Sequence, residues 1–278
     1  MPRSLGIAFV LAGLLPPNLA AETPEFHWKS GQVLTYRVAQ TTTAVESLND
    51  ADPMTTTTQL NLTKRWQVTD VSAEGVATLQ MSLVALRMET RPPRGEPMIF
   101  DSAKPESATD GLREELARYV GPPIVIVQID RLGRLVAVKE CRFGPPSRLE
   151  SDLPFKLILP GGAMTAGQSW ERTFAIKLDP PHGAGESHDA IQKYTCKSVA
   201  DGSAVIAMST ELKSPPESAS DRLPLLPLLA RGDVVFDVSR GRLREVRLQN
   251  QHELTNHRGQ GSRYVLKTDS VETLIESK

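Results

Sequence analysis

Apolar and polar side chains alternate along most of this chain, and a period of two predicts strands with one buried face. The pattern is clearest in residues 33–45, where Leu34, Tyr36 and Val38 fall on one side. In the first half of the chain it predicts strands over residues 33–45, 54–70, 76–88, 124–129 and 135–139. In the second half it predicts strands over residues 169–178, 190–199, 203–213, 234–238, 242–254 and 264–275.

A short helical segment is predicted in each half. The first is capped by Asp110 and has Leu112, Leu116 and Tyr119 as its apolar positions. The second is a leucine-rich helix or turn over residues 223–229, in which two prolines disfavour a regular helix. Because successive strands are joined without crossovers, we predict antiparallel meanders that curl into curved sheets or half-barrels. The predicted fold is therefore mainly β, with a short helix in each half.

Three blocks of sequence occur in both halves in the same order and predict an internal duplication. The first is 28–34 in one half and 164–170 in the other, the second is 64–81 and 192–208, and the third is 129–135 and 238–243. We therefore divide the chain into a first β repeat (22–141), a Pro-rich linker (142–166) and a second β repeat (167–278). The linker is predicted to wrap on the surface and to be anchored by apolar residues 153–159.

Residues 1–21 have the pattern of a secretory signal peptide. Arg3 supplies a positive charge, residues 5–15 form an apolar run, and Leu19-Ala20-Ala21 offers the small residues that a signal peptidase reads. The run is shorter than the ~20 apolar residues that span a bilayer, so a retained anchor is the less favoured alternative. We predict cleavage after Ala21 and an exported protein, periplasmic or extracellular, with no later transmembrane segment.

Composition narrows the choice of partners. The formal net charge is −1 with 23% charged residues. This excludes a strong positive electrostatic field that would attract nucleic acid or an anionic membrane. The two cysteines, Cys141 and Cys196, are 55 positions apart (196 − 141). Because export leads to an oxidising compartment, we favour a disulfide between them and keep two separate buried thiols as the alternative.

The histidines form no recognisable catalytic or metal motif. His252 and His257 are five residues apart, whereas a zinc-protease helix needs a spacing of four, and we interpret them as an exposed strand end. His182, Glu186 and His188 lie in a Gly-rich loop that could surround a metal, but a solvated turn explains the same composition. The chain also lacks a Gly-x-Ser-x-Gly elbow and a phosphate-binding loop. We predict no catalytic residue, no metal site and no cofactor.

The tripeptide Phe100-Asp101-Ser102 precedes the first helical segment. Together with the order of the blocks, it resembles an uncharacterised family of exported proteins of planctomycete type, over most of the mature chain. The resemblance implies a secreted β-protein of unknown function, and it transfers no catalytic residue.

Three classes of function remain open. The first is a non-catalytic structural or protein-interaction module of the cell envelope, and this is the one we favour. The second is a binding protein for an apolar ligand such as a lipid. The third is a hydrolase whose site is built from scattered residues, which the absence of motifs disfavours without excluding an enzyme. The expected partner is accordingly an envelope protein or a lipid, and not nucleic acid.

Whether the concave face of the curved sheet leaves a cavity or is filled distinguishes the interaction module from the binding protein. The side chains predicted to face inward in the first half are Leu34, Tyr36, Leu62, Trp66, Val68, Leu79 and Met81. If the first helix covers them incompletely, a cavity of at least ~300 Å³ is expected, as in lipid-binding sites. The favoured alternative is a core packed to native density, without a cavity.

Overall fold

The computed structural model describes residues 23–49, 51–180 and 183–277. The predicted signal peptide, residues 1–21, lies outside the described residues. The described chain is mainly β, as predicted, and its strands are β1 (Val33–Ser47), β2 (Met54–Val71), β3 (Ala77–Arg91), β4 (Met98–Asp101), β5 (Pro123–Ile129), β6 (Leu135–Cys141), β7 (Ser169–Leu178), β8 (Glu186–Ala200), β9 (Ser203–Leu212), β10 (Arg231–Asp237), β11 (Arg242–Thr255) and β12 (Arg263–Ser277).

The helices are short. They are α1 (Asp110–Ala117), α2 (Arg148–Ser151) and α3 (Ala219–Arg222), together with the 3-10 turns Pro105–Ser107 and Leu223–Leu228. A helix at the first predicted place is confirmed, but Asp110 is its first residue and Thr109 occupies the N-cap position. The predicted leucine-rich element is a 3-10 turn because Pro227 lies inside it and has no amide hydrogen for an α-helical bond. We call Leu223–Leu228 the Leu-Pro segment.

All the strands belong to one curved antiparallel sheet with the order β6-β5-β3-β2-β1-β12-β11-β10-β9-β8-β7, and β4 pairs with β3 outside this path. The two halves meet where β1 pairs with β12, from Leu34 opposite Ser277 to Ser47 opposite Arg263. In each half the strands form a meander, and a helical insertion separates β4 from β5 in the first half and β9 from β10 in the second. The sequence left open whether the halves share a core, and the common sheet shows that they do.

The first matched block forms the same turn in each half. Gly31 has φ of +82° and donates its amide to the Val68 carbonyl at 2.9 Å. Gly167 has φ of +87° and donates its amide to the Cys196 carbonyl at 2.8 Å. Glycine suits both positions because side chains rarely tolerate a left-handed backbone. The duplication of the complete halves stays a prediction.

The prediction that the linker wraps on the surface is wrong for its apolar part, residues 153–160, whereas residues 142–152 are exposed or half-buried. Leu153, Phe155, Leu157 and Leu159 are all buried, because they insert into the concave side of the sheet. The predicted anchoring through apolar contacts is confirmed, and backbone bonding adds to it, since the Leu159 amide donates to the Leu132 carbonyl at 2.8 Å. We call the side of the sheet that the linker covers the inner face.

The segment before β1 closes the same end of the inner face. The rings of Phe26 and Trp28 stack with centroids 4.9 Å apart, and Phe26 meets Phe236 edge-on at 5.0 Å. Gly133, with φ of +83°, lets the β5–β6 turn approach closely, since a Cβ there would lie 2.6 Å from the Leu157 carbonyl oxygen. One end of the inner face is therefore filled by the linker and by this segment.

Candidate functional site

Farther along the same strands, the inner face leaves a cleft of about 450 Å³. Its floor comes from β1, β2, β11 and β12, where side chains two residues apart face the same way. Strand pairing places Val38 between Leu62 and Glu272 on the floor. The apolar side chains that line the cleft include Val38, Leu60, Leu62, Leu228, Val246 and Leu248.

One wall of the cleft is supported by α1. Leu112 and Leu116 of this helix pack against a cluster that contains Leu60, Leu86 and Phe100. Because Leu60 also lines the cleft, the helix covers the inner face only up to the edge of the opening. The predicted covering role of the first helix is confirmed for this side of the sheet.

The other wall is the Leu-Pro segment. Leu226 packs against Leu254 and Leu266, and its carbonyl accepts a hydrogen bond from Asn250 Nδ2. Leu228 of the same segment lines the cleft. The cleft therefore lies between two short covers that rest on different strands of one sheet.

The end of the cleft nearest the linker carries an ion pair. Lys64 Nζ lies 2.8 Å from Glu272 Oε2, to which it donates a hydrogen bond, and 2.7 Å from Oε1. The side chains are only 13% and 9% exposed, so water screens their attraction little. Lys64 also lies over the ring of Tyr36, with 5.9 Å between Nζ and the ring centroid. The pKa of Tyr36 is raised, first by burial and then by the charge of Glu272.

A second lysine, Lys156, reaches this end from the linker. Its ammonium contacts the carboxylate of Asp152. Burial lowers the pKa of Lys156 to about 8, and the positive charges of Lys64 and Arg172 add to the effect, against the opposing charge of Glu272. Lys156 has φ of +56°, a left-handed conformation that few non-glycine residues adopt. The sequence placed this residue on the surface, whereas the buried linker brings it into the cleft.

A polar network behind Lys156 fixes the linker to the second half of the sheet. Gln192 Oε1 accepts hydrogen bonds from Tyr194 Oη at 2.6 Å and from Arg172 Nε at 2.8 Å. The same guanidinium donates to the carbonyls of Glu150 at 2.7 Å and Ser151 at 3.2 Å. Burial raises the pKa of Tyr194 to about 12, so its hydroxyl stays protonated and can donate at neutral pH. Arg172 is thus held by neutral acceptors and is not paired to a carboxylate in the described part of the chain.

The end of the cleft away from the linker is polar without being charged. Thr42 and Thr268 share a hydrogen bond of 3.1 Å across β1 and β12. Asn250 lies opposite Thr268 on β11 and is 3% exposed, and both line the cleft. Asn250 Oδ1 is buried without a hydrogen-bond partner among the described residues. The cleft therefore has a charged end, an apolar middle and a hydroxyl-amide end.

None of the histidines that the structure describes lines this cleft. His252 Nε2 lies 3.3 Å from the Leu229 carbonyl, and His257 Nε2 lies 3.0 Å from Glu46 Oε1. The prediction of an exposed strand end is wrong for His257, because its ring packs beneath Tyr264 and beside Glu46. His182 lies outside the described residues. Within the residues that the structure does describe, no three His, Cys, Asp or Glu side chains converge as metal ligands.

The two cysteines are free thiols in this structure. Cys141 ends β6, where its Sγ lies 3.5 Å from the Phe143 carbonyl, and Cys196 is buried in β8, where its Sγ lies 3.7 Å from the Ser198 carbonyl. Burial raises the pKa of Cys196, which lowers its reactivity as a nucleophile. The disulfide stays a prediction.

The residues predicted to face inward divide into two groups. Leu62 and Met81 line the cleft. The others lie in the main core with the linker, and they are Leu34, Tyr36, Trp66, Val68 and Leu79. One end of the inner face is therefore a packed core, and the other end contains the cavity.

Two residues of the charged end carried a signal in the sequence that we missed. In β2, period two runs from Leu62 through Lys64 to Trp66, so that a lysine occupies an inward position. In β12, Glu272 stands between inward positions in the same way and is 7% exposed. A charged residue at a position that should be apolar is costly to bury, and it therefore indicates a partner or a site.

Among the described residues, no helix has the length and apolar character needed to cross a membrane. No protein-family model matches the chain, and no curated protein matches it. A structure of lipovitellin that describes lipid–protein interactions is similar, with a TM-score of 0.50 and 11% identity over 91% of this chain. This chain spans 26% of the lipovitellin chain. At this identity the likeness concerns the fold alone.

Two further structures give lower scores. An outer membrane channel from Pseudomonas putida F1 has a TM-score of 0.31 with 7% identity, and it covers 95% of this chain and 100% of its own. DynF, from the dynemicin biosynthesis pathway of Micromonospora chersina, has a TM-score of 0.20 with 10% identity, over 95% of this chain and 92% of its own. Neither score indicates a shared fold.

Proposed function

We propose that this protein binds one molecule with an apolar chain, of the lipid class, in the cleft on the inner face. The observation that carries the proposal is the cleft of about 450 Å³, which the linker, α1 and the Leu-Pro segment leave uncovered. Its volume falls within the ~300–1,000 Å³ of pockets that hold small molecules. The apolar middle offers Leu60, Leu62 and Leu248 to such a chain.

The fold gives modest support to this proposal. The lipovitellin structure with a similar fold describes lipid–protein interactions, although it shares only 11% identity with this chain. The envelope-interaction role expected from the sequence stays a prediction.

A fluorescence titration tests the proposal. We expect delipidated protein to bind N-phenyl-1-naphthylamine, a neutral apolar fluorophore, with a blue shift and a gain in intensity. Leu248→Trp places a large side chain in the cleft and should weaken this binding about tenfold or more. Thr41→Trp is the matched control because Thr41 is exposed on β1, with its side chain on the opposite side of the sheet from Gln40. Equal binding by both variants, or no binding by the unaltered protein, would contradict the proposal.

We also propose that the ligand is bound outside the cytoplasm. The support is the pattern of residues 1–21, where Arg3 precedes an apolar run and small residues follow it. The test of export is N-terminal sequencing. The protein is recovered separately from each compartment of a culture. Export predicts a chain that begins at Glu22, and an intact Met1 on the functional protein would exclude the proposal.

A further inference from the structure

We propose that the bound molecule ends in an oxyanion, a carboxylate or a phosphate, and that Lys156 and Lys64 hold this group at the linker end of the cleft. This inference rests on the proposed function and makes it specific, because it assigns the chemistry of the head group and the orientation of the bound molecule in the cleft. The apolar chain then runs from the lysines over Val38 and Leu62 toward the opening between α1 and the Leu-Pro segment.

The first argument is the position of the two lysines. Both line the cleft, and they approach from different elements, Lys64 from β2 and Lys156 from the linker. Their side chains are 13% and 24% exposed, so a group placed between them is largely removed from water. Charge-assisted hydrogen bonds to oxyanions are stronger in such surroundings than in water.

The second argument is the balance of charge at this end of the cleft. Two cations line it, Lys64 from β2 and Lys156 from the linker, and the positive charge of Arg172 from β7 acts on Lys156. Glu272 of β12 is the buried carboxylate among them, and Lys64 lies within 2.8 Å of both its oxygens. Asp152, the partner of Lys156, is 53% exposed, and ion pairs with such exposed groups contribute little. One positive charge is therefore poorly compensated until an anion enters.

The third argument is the state of Lys156 itself. Burial and the neighbouring cations lower the pKa of Lys156, so its surroundings disfavour the charged ammonium. An oxyanion beside it would reverse this effect. Its φ of +56° is also a strained backbone conformation, and strain of this kind is frequent where a ligand is clamped. The backbone is held there by the Lys156 amide, which donates to the Leu153 carbonyl at 3.1 Å.

The opposite end of the cleft defines the competing outcome. Asn250 Oδ1 is a buried acceptor without a partner among the described residues, and Thr268 lies beside it. These groups would accept or share a hydrogen bond with a neutral hydroxyl, and they carry no charge. A ligand with an uncharged head group would therefore be placed at this end, and it would not respond to Lys156.

The experiment compares three amphiphiles that have an alkyl chain of the same length, namely dodecanoate, dodecyl phosphate and dodecanol. Each competes with N-phenyl-1-naphthylamine for the full-length delipidated protein. We expect both anions to bind about tenfold or more tightly than dodecanol. Lys156→Met should remove most of this preference, while Lys156→Arg should retain it. Lys193→Met is the matched control, since Lys193 is exposed and pairs with Glu211 outside the cleft.

The outcomes separate the two proposals. If the three amphiphiles bind equally and Lys156→Met changes none of them, the oxyanion site is wrong and the apolar cleft stands. If none of them displaces the fluorophore, both proposals fail. Inorganic phosphate is the fourth ligand, and displacement by phosphate alone at the same concentration as dodecyl phosphate would mean a site for a small anion, which also overturns the lipid proposal.

Discussion

The rings of Phe155 and Trp66 lie with their centroids 5.3 Å apart and their planes inclined by 39°. Phe155 belongs to the linker between the two halves, and Trp66 belongs to β2 of the first half. Phe155 also contacts Trp28 at 5.3 Å and Tyr36 at 6.2 Å, so its ring is surrounded by aromatic side chains. The linker is therefore a structural part of the core, and it fixes where the open part of the inner face begins.

Replacement of Phe155 by Ala should strongly destabilise the protein. The ring is 1% exposed, and its loss removes both apolar contact and the filling of the core. For buried Phe→Ala changes the loss is typically about 3–5 kcal/mol. Urea denaturation followed by circular dichroism measures it. Phe143→Ala, a change of the same type in a half-buried linker residue that contacts Tyr119, should cost clearly less. Equal losses would mean that the linker does not pack as described.

The burial of the linker was hidden from sequence analysis by its composition. Pro145, Pro146, Pro154 and Pro160 with the neighbouring glycines are typical of exposed connections. The alternation of Leu153, Phe155, Leu157 and Leu159 is, however, that of a segment with one buried face, and this signal was correct. By contrast, the bounds predicted for β7 from the alternation of Ser169–Leu178 agree with the structure. The short β4, Met98–Asp101, was missed because four residues are too few to show a period.

The ion pair of Lys64 and Glu272 should behave as a buried pair. Lys64→Met leaves the carboxylate of Glu272 without its partner, and breaking a buried pair in this way typically costs roughly 3–5 kcal/mol. The double variant Lys64→Met with Glu272→Leu removes both charges and should recover most of that loss. The measurement is a double-mutant cycle of unfolding free energies in urea.

The exposed pair of Lys193 and Glu211 is the control for this cycle. The distance between Nζ and Oε2 is 2.7 Å, as short as in the buried pair, but the side chains are 49% and 55% exposed. Because water and salt screen this pair, Lys193→Met should change the stability much less than Lys64→Met. If the two single variants are equally destabilised, the environment of Lys64 is not the dry one described.

Gly133 should be far less tolerant of a side chain than Gly95. Both residues have a left-handed backbone, with φ of +83° and +89°, so both Ala variants carry the same conformational strain. A Cβ at Gly133 would lie 2.6 Å from the Leu157 carbonyl oxygen and 2.7 Å from the Phe26 ring, whereas a Cβ at Gly95 meets nothing within 4 Å. We expect Gly95→Ala to lower the unfolding free energy by about 1 kcal/mol and Gly133→Ala to lower it by at least 1 kcal/mol more. Thermal denaturation of the two variants side by side checks this difference, and similar values would place the linker away from the β5–β6 turn.

The pairing of residues at the charged end of the cleft could not be predicted from the sequence, for a physical reason. Lys64 and Glu272 are 208 positions apart, and only the pairing of β1 with both β2 and β12 brings them together. Lys156 enters through a linker that has no strand or helix at this position. Period two could place Lys64 on the inner face, but it could not say which residue of another strand lies opposite. The apolar floor, which needs only the pattern within each strand, was partly predictable through Leu62 and Met81.

Lys156 should make stability depend on pH in the alkaline range. Its pKa is about 8 in the folded protein and 10.5 ordinarily, so the unfolded chain binds its proton more tightly. Below about pH 8 the folded protein bears the full free-energy cost of a charged Lys156. This cost disappears as the pH increases from about 8 to about 10.5, so the unfolding free energy rises over this range. Lys156→Met abolishes this cost and should stabilise the ligand-free protein at pH 7 by at most about 3 kcal/mol.

The check is the difference in unfolding free energy between Lys156→Met and the unaltered protein, measured in urea from pH 7 to pH 10.5. We expect the difference to shrink steadily over this range. Lys193→Met is the control, because Glu211 raises the pKa of Lys193 and its titration lies at higher pH than that of Lys156. A difference that stays constant with pH would mean that Lys156 is well solvated in the folded protein, and the argument from its poorly compensated charge would then be lost.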